Sequence, residues 1–80
     1  MSVEEKELIN RAAQGDVNAF STLYENYFDR VYRYLYVRLG NAAEAEDITQ
    51  DVFAKVIEAI NSYQWRDVPF TSWLFRIAHN

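Results

Sequence analysis

Three residues in this chain of 80 can stop a helix unaided: Gly15, Gly40 and Pro69. A glycine ends a helix by adopting a left-handed backbone, and a proline lacks the N–H that a helix interior needs. Between Gly15 and Gly40, Phe20, Tyr24, Tyr27, Phe28, Val31, Leu35 and Leu39 recur at steps of three and four. That period is helical, and Asp16 is a good N-cap, so one helix of about 23 residues is predicted. Its polar side carries Glu25, Asp29, Arg30 and Arg33. Arg38 falls inside the apolar arc, and a charge there must snorkel or meet a carboxylate. The start of the third helix and Asp67 are the expected donors of that carboxylate.

The other breakers place three more helices. Ser2 with Glu5 fits a capping box, S-x-x-E, so a first helix is expected at roughly 3–14 and ends at Gly15. Its stripe is Val3, Leu8, Ile9, Ala12 and Ala13. Asn41 with Glu44 repeats the capping pattern and opens a third helix at roughly 42–60. Its expected core stripe is Ala45, Ile48, Val52, Val56 and Ile60. "NSYQWRDVP" is a loop of turn formers around two aromatics. Pro69 fits the first turn of a fourth helix, with Thr71 as a competing N-cap. Phe70, Trp73, Leu74 and Ile77 share one side of it. Ser72, Arg76 and His79 share the other, and Asn80 lies between Trp73 and Arg76. No stretch alternates apolar and polar over a strand's length. The fold class is all-α, a compact four-helix domain formed by residues 1–80 as one unit.

Half of the residues are hydrophobic, with five Phe, six Tyr and two Trp, which excludes a disordered chain. There is no cysteine, so a disulfide scaffold and a Cys-ligated zinc site are excluded, and a reducing compartment fits. A single His cannot by itself build a metal site. "MSVEEKELIN" is charged from its third position on, unlike a signal or transit peptide. No apolar run approaches the ~20 residues that span a bilayer. A cytoplasmic protein with no membrane role is expected. The net charge of −4 argues against nucleic acid, but it is uneven. Residues 1–60 carry eleven acids against six bases, while residues 61–80 carry Asp67 against Arg66 and Arg76.

The third helix carries the sharpest functional signal. Its back is nearly all acid: Glu44, Asp47, Asp51 and Glu58, with Gln50 and Ile57 beside them. Like charges one turn apart repel by a few tenths of a kcal/mol, and only Lys55 is placed to relieve them. Two readings of this ridge stand at this point. It is either a solvated face or a surface for a partner helix rich in Arg. A catalytic reading would use Asp47 and Asp51 as a dicarboxylate metal or acid–base pair. No E-x-x-H pair, Gly-rich phosphate loop or nucleophile setting supports it, so the chain is expected to be no enzyme, with no cofactor.

"AEDITQDVFAKV" followed by "PFTSWLFRIAHN" resembles the second conserved region of bacterial sigma factors of the extracytoplasmic-function group. "GDVNAFSTLYENYFDRVYRYLYVRLG" is similar to that region's first part, "AEAEDITQDVFAKVIEAI" to its second, and "VPFTSWLFRIAHN" to its third and the start of its fourth. The likeness spans nearly the whole chain, with several motifs in order and at the right spacing. It implies a transcription initiation domain whose partners are the RNA polymerase core and promoter DNA. The second part would dock on the β′ clamp helices, which places Asp47, Gln50, Asp51, Ala54 and Ile57 at that contact. The loop before the last helix, with that helix's exposed face, would recognise and melt the promoter −10 element, taking one strand as single-stranded DNA. That assigns Ser62, Tyr63, Trp65, Arg66, Trp73, Arg76 and Asn80 to DNA.

Each of these assignments has a plain structural counterpart. Phe53 is expected in the core. Trp65 and Tyr63 are either core plugs or stacking platforms, with burial favoured for Trp65 because tryptophans are usually buried. Trp73 is divided between core and strand, and His79 is read as ordinary surface. The family's basic stretch after "RIAHN" and its region 4 domain are absent, so an N-terminal fragment is expected, with weak DNA binding and polymerase binding less affected. An anti-sigma factor is a further expected partner, overlapping the third-helix face. A sigma-like interaction module without DNA readout is the alternative.

Overall fold

The computed structural model describes residues 3–63 and 69–79. Its elements are α1 (Val3–Ala13), α2 (Val17–Leu39), α3 (Ala42–Ala59), a 3-10 turn (Ile60–Ser62) and α4 (Phe70–His79). No strand occurs among the described residues, and among them no helix is long and apolar enough to cross a membrane.

Asp16 joins the first two helices. One carboxylate oxygen accepts the Ala19 N–H at 3.1 Å and caps α2. The other pairs with Arg11 Nε at 3.0 Å, across the turn at the end of α1. Gly15, at φ 95°, makes that turn possible. The Asp16 N–H reaches the Arg11 carbonyl and the Gly15 N–H that of Ala12, both at 3.0 Å, which is the Schellman pattern. Gly40 closes α2 in the same left-handed region, at φ 69°, its N–H on the Tyr36 carbonyl at 2.8 Å. Asn41 then caps α3 by accepting the Glu44 N–H at 2.9 Å. At α4 the Pro69 carbonyl accepts the Trp73 N–H at 3.1 Å, so Pro69 stands just ahead of the first turn. The Ser2 half of the expected capping box lies outside the described residues.

The helix α2 is the axis of the domain. A 23-residue helix is about 35 Å long, and the longest extent of the domain is 35 Å. Helices α1, α3 and α4 all pack on it. Its buried row is Ala19, Leu23, Tyr27, Val31 and Leu35. This corrects the expected stripe. Ala19 and Leu23 belong to the core, whereas Leu39 is 38 % exposed. The reason is that the deepest line on α2 is where three helices converge, and its last turn runs past them. Phe20, Tyr24 and Phe28 flank that line, partly buried. Tyr24 meets Phe53 of α3 edge to face at 4.9 Å between ring centroids.

On α3 the buried residues are Ala45, Thr49, Val52, Phe53 and Val56. Ile48, expected inside, is only partly buried, and Thr49 takes its place at 0 % exposure. The Thr49 hydroxyl donates to the Ala45 carbonyl at 2.7 Å. With that group satisfied, only its methyl faces the core, and burial carries no unmet polar cost. On α4, Phe70, Leu74 and Ala78 are buried, and Trp73 and Ile77 sit at the edge.

Arg38 does not meet the expected carboxylate at the start of α3. It is exposed, and its guanidinium lies over the Tyr34 ring, 5.1 Å from the centroid. The last turn of α2 opens to solvent, so the charge needs no neutralising partner there. Asp67 lies outside the described residues.

Two buried tyrosines tie α1 to the rest. The Tyr27 hydroxyl donates to the Glu5 carboxylate. Burial first, and then that bond, raise the Tyr27 pKa well above the ordinary 10.0. Tyr63 is raised from the same value by burial and by the nearby Glu5 charge. Asp16 is shifted the other way, below its ordinary 3.8, first by the Ala19 N–H and then by Arg11.

Leu23→Ala, at a site 1 % exposed, should cost ~2–5 kcal/mol in urea unfolding, while Val37→Ala, 82 % exposed, should stay within about 0.5 kcal/mol. The pKa directions fix two limbs of a stability–pH curve. Because the folded tyrosine values are raised, their contribution is complete below about pH 10 and is lost as pH rises further. Because Asp16 is lowered, its contribution is present above about pH 4 and is lost as pH falls. Thermal melting against pH should show both limbs, with Tyr27→Phe flattening the alkaline one and Asp16→Asn, which still caps, flattening the acid one.

Candidate functional site

The buried side of α3 determines what the helix offers outward. With Ala45, Thr49, Val52, Phe53 and Val56 inside, the opposite side turns to solvent. Asp47, Gln50, Asp51, Ala54 and Ile57 are all exposed, as are Glu44 and Glu58. The structure therefore brings the five residues expected at a polymerase contact onto one outer face. Ile57 is 52 % exposed and puts an apolar spot within this acidic face. Carboxylates around an apolar rim can steer a basic partner over a distance and give it an apolar anchor on contact.

Lys55, expected to relieve the acid ridge, makes no ion pair with it among the described residues. It lines a cleft on the α2 and α4 side of α3 instead. With Glu44, Asp47, Asp51 and Glu58 against this one lysine at its border, the ridge is net negative.

Ile57 also borders a cavity of about 170 Å³ formed with the α1–α2 turn, where Ala12, Val17 and Phe20 contribute. Val17, 71 % exposed, lies on its rim. Sequence reasoning missed this extension of the face. The signal was absent because Val17 and Ile57 are far apart in the chain and meet only through the packing of α2 on α3 and of α1 on the 3-10 turn that follows it.

The second expected surface is partly described. Trp65, Arg66 and Asn80 lie outside the described residues. Tyr63 requires a correction. Of the two roles expected for it, core plug or stacking platform, it takes the first, at only 9 % exposure, although it was also assigned to DNA. Phe70 meets it edge to face at 5.5 Å and Trp73 packs at 5.2 Å. Its ring is taken up by the core, because the 3-10 turn after α3 folds the chain back onto α4. Trp73 sits at the margin, half-buried against Tyr63 and Phe70. Ser62 is exposed, and its hydroxyl donates to the Ala59 carbonyl at 2.7 Å. Arg76 is exposed on α4, on the same side as Ser72 and His79. Phe53, expected in the core, is there at 3 % exposure. Among the described residues no group of three or more His, Cys, Asp or Glu is arranged to hold a metal ion.

Known proteins are similar to this chain in sequence and fold. The family model for sigma-70 region 2 matches residues 23–80. The extracytoplasmic-function (ECF) RNA polymerase sigma factor BldN of Streptomyces coelicolor is 42 % identical over 74 residues, which are 92 % of this chain and 28 % of that protein. The ECF RNA polymerase sigma factor SigW of Bacillus subtilis is 39 % identical over 75 residues, 94 % of this chain and 40 % of that protein. The chain thus spans well under half the length of these curated relatives. Among solved structures, an engineered region 2 of sigmaE in complex with GTAAAA superposes with a TM-score of 0.86 at 29 % identity, covering 100 % of this chain and 84 % of that one.

The placement of Tyr63 is testable by stability alone. Tyr63→Ala should cost ~3 kcal/mol or more in urea unfolding, as loss of a buried aromatic does, whereas Ser62→Ala should cost under about 1 kcal/mol.

Proposed function

This chain belongs to the sigma-70 region 2 family, in its extracytoplasmic-function group, and from that premise we propose that it is a promoter-recognition module of a transcription initiation factor. The outer face of α3 docks on the β′ clamp helices of RNA polymerase. The segment 62–68 and the outer face of α4 take one strand of the −10 element. The module works by adhesion and strand capture, without covalent chemistry.

The observation that carries this reading is the face of Asp47, Gln50, Asp51, Ala54 and Ile57, exposed together on the side of α3 opposite the core. On that face Ile57 adds an apolar spot beside an amide and two carboxylates. Such a face suits a helical partner with basic residues around an apolar contact. For the strand, Arg76 supplies a phosphate partner and the open edge of Trp73 a stacking surface. The solved relative's complex with GTAAAA supports this half of the reading. An anti-sigma factor would be a second protein partner, competing for the α3 face.

The net charge of −4 and the burial of Tyr63 favour a second reading for the strand half. In it the domain binds proteins only. A strand assay separates the two.

Binding to the isolated β′ clamp-helix segment should be salt-sensitive and should weaken ~10-fold or more in Gln50→Ala/Asp51→Ala. Both sites are exposed, so the melting temperature of the variant should hold. A folded wild type that does not bind would overturn the α3 assignment. Arg76→Ala should weaken capture of a fluorescent −10 single strand several-fold and lower the salt slope by about 0.7. No measurable strand binding by the wild type would bring the protein-only reading forward.

A further inference from the structure

Three helices converge on a cleft that lies between the two surfaces above, with Asp51 of the α3 face at one border and His79 of the α4 face at the other. It has a volume of about 270 Å³, and Arg38 of α2, Lys55 of α3 and His79 of α4 line it over a floor that includes Leu35 and Val52. In a chain with eight Lys and Arg and one His, and a net charge of −4, this gathers a third of the basic side chains at one place.

Arg38 and His79 are positioned by a neutral residue. Tyr34 lies under the Arg38 guanidinium at 5.1 Å, and its hydroxyl is hydrogen-bonded to His79 Nδ1 at 3.1 Å. Phe75 holds the Tyr34 ring from the side, at 5.4 Å and 77°. A tyrosine can orient both side chains and leave the Arg38 charge intact, whereas a carboxylate would neutralise it. Asp51 also lines the cleft, but among the described residues it makes no ion pair with Arg38 or Lys55. Arg38 and Lys55 outnumber the one Asp51 carboxylate, so the cleft carries a net positive charge that a bound anion would offset.

The chemistry of the set points to phosphate. A planar guanidinium meets two phosphate oxygens at once, and an ammonium and an imidazole add point donors. The cleft is larger than a phosphate group, and its apolar floor suits the carbon face of a sugar. Its location points to the source. His79 lies on the same exposed side of α4 as Ser72 and Arg76, the side assigned above to the strand. A ten-residue helix is about 15 Å long, a span of a few nucleotides of extended strand. The line Ser72, Arg76, His79 therefore leads from the 62–68 segment to the cleft.

We propose that the cleft formed by Arg38, Lys55 and His79 binds a phosphodiester of the captured strand, a few nucleotides beyond the part held near the 62–68 segment. This rests on the strand-capture reading and extends it to α2 and α3. Tyr34 is the positioning residue. His79, ordinary surface by sequence, gains a ligand, and Lys55 serves the strand instead of the acid ridge.

The test uses the 80-residue chain with fluorescein-labelled single-stranded GTAAAA and the same strand lengthened by four thymidines at either end. Extension at one end should tighten wild-type binding ~3- to 10-fold, with a steeper salt dependence. In Arg38→Gln/Lys55→Gln that gain should vanish while affinity for GTAAAA itself holds. Both positions are exposed, and thermal melting checks that the variant is folded. A gain that survives in the double variant overturns the proposal. Melting in inorganic phosphate against chloride of equal ionic strength separates the two sources of the anion. Stabilisation by phosphate that is lost in the double variant, without any gain from extension, would replace the strand with a free anion and overturn the assignment to DNA. Neither effect would remove the site altogether. Failure of the wild type to bind GTAAAA at all would instead count against the strand-capture reading, and the phosphate arm would then decide the cleft alone.

Discussion

Ala19, Leu23, Tyr27, Val31 and Leu35 stand one turn apart along α2, and all three other helices close on that helix. Tyr27 shows how the row works. Its ring meets Phe70 of α4 at 5.4 Å, and its hydroxyl reaches Glu5 of α1. A single residue of the axis thus holds the first and last helices in relation to each other. In a chain this short the buried apolar area is small, and much of it is shared through this one helix. Truncation along the row therefore removes contacts from several helices at once.

An axis of this kind leaves each outer helix with a free back. Helix α3 buries five residues against the core and turns its acids, an amide and Ile57 outward. Helix α4 buries Phe70, Leu74 and Ala78 and turns Ser72, Arg76 and His79 outward. The two backs differ in charge, so one domain presents an acidic surface suited to a basic protein and a more basic edge suited to phosphate. Lys55 marks the boundary. It belongs to α3 by sequence, stands one turn from Asp51, and lines the cleft with Arg38 and His79. Opposite potentials on neighbouring faces suit ligands of opposite charge.

The helix pattern was readable in advance because its causes are local. Asp16, Gly40 and Asn41 act within a few residues of themselves, and each was found in its expected role. The acid face of α3 was readable for the same reason, since a helical period places side chains without reference to the rest of the fold. The errors share a different cause. Leu39 was expected inside and Thr49 was passed over, because periodicity gives a stripe but not the line on it where neighbouring helices converge. Arg38 was expected to snorkel or to meet a carboxylate, and at the start of α3 it meets none; it is exposed over an aromatic ring, because that helix end is open to solvent.

By itself, then, the amino-acid order determined the number, type and limits of the helices, the acidic back of α3 and, through motifs in register, the family. These follow from backbone conformational preference and from side chains within one or two turns of each other. Only the tertiary structure decided that Tyr63 is core, that Val17 joins Ile57 at one cavity, and that Arg38, Lys55 and His79 meet at one cleft. Each of these depends on the angles and depths at which helices pack. Those are set by the shapes of many side chains acting together, which no local pattern in the sequence contains.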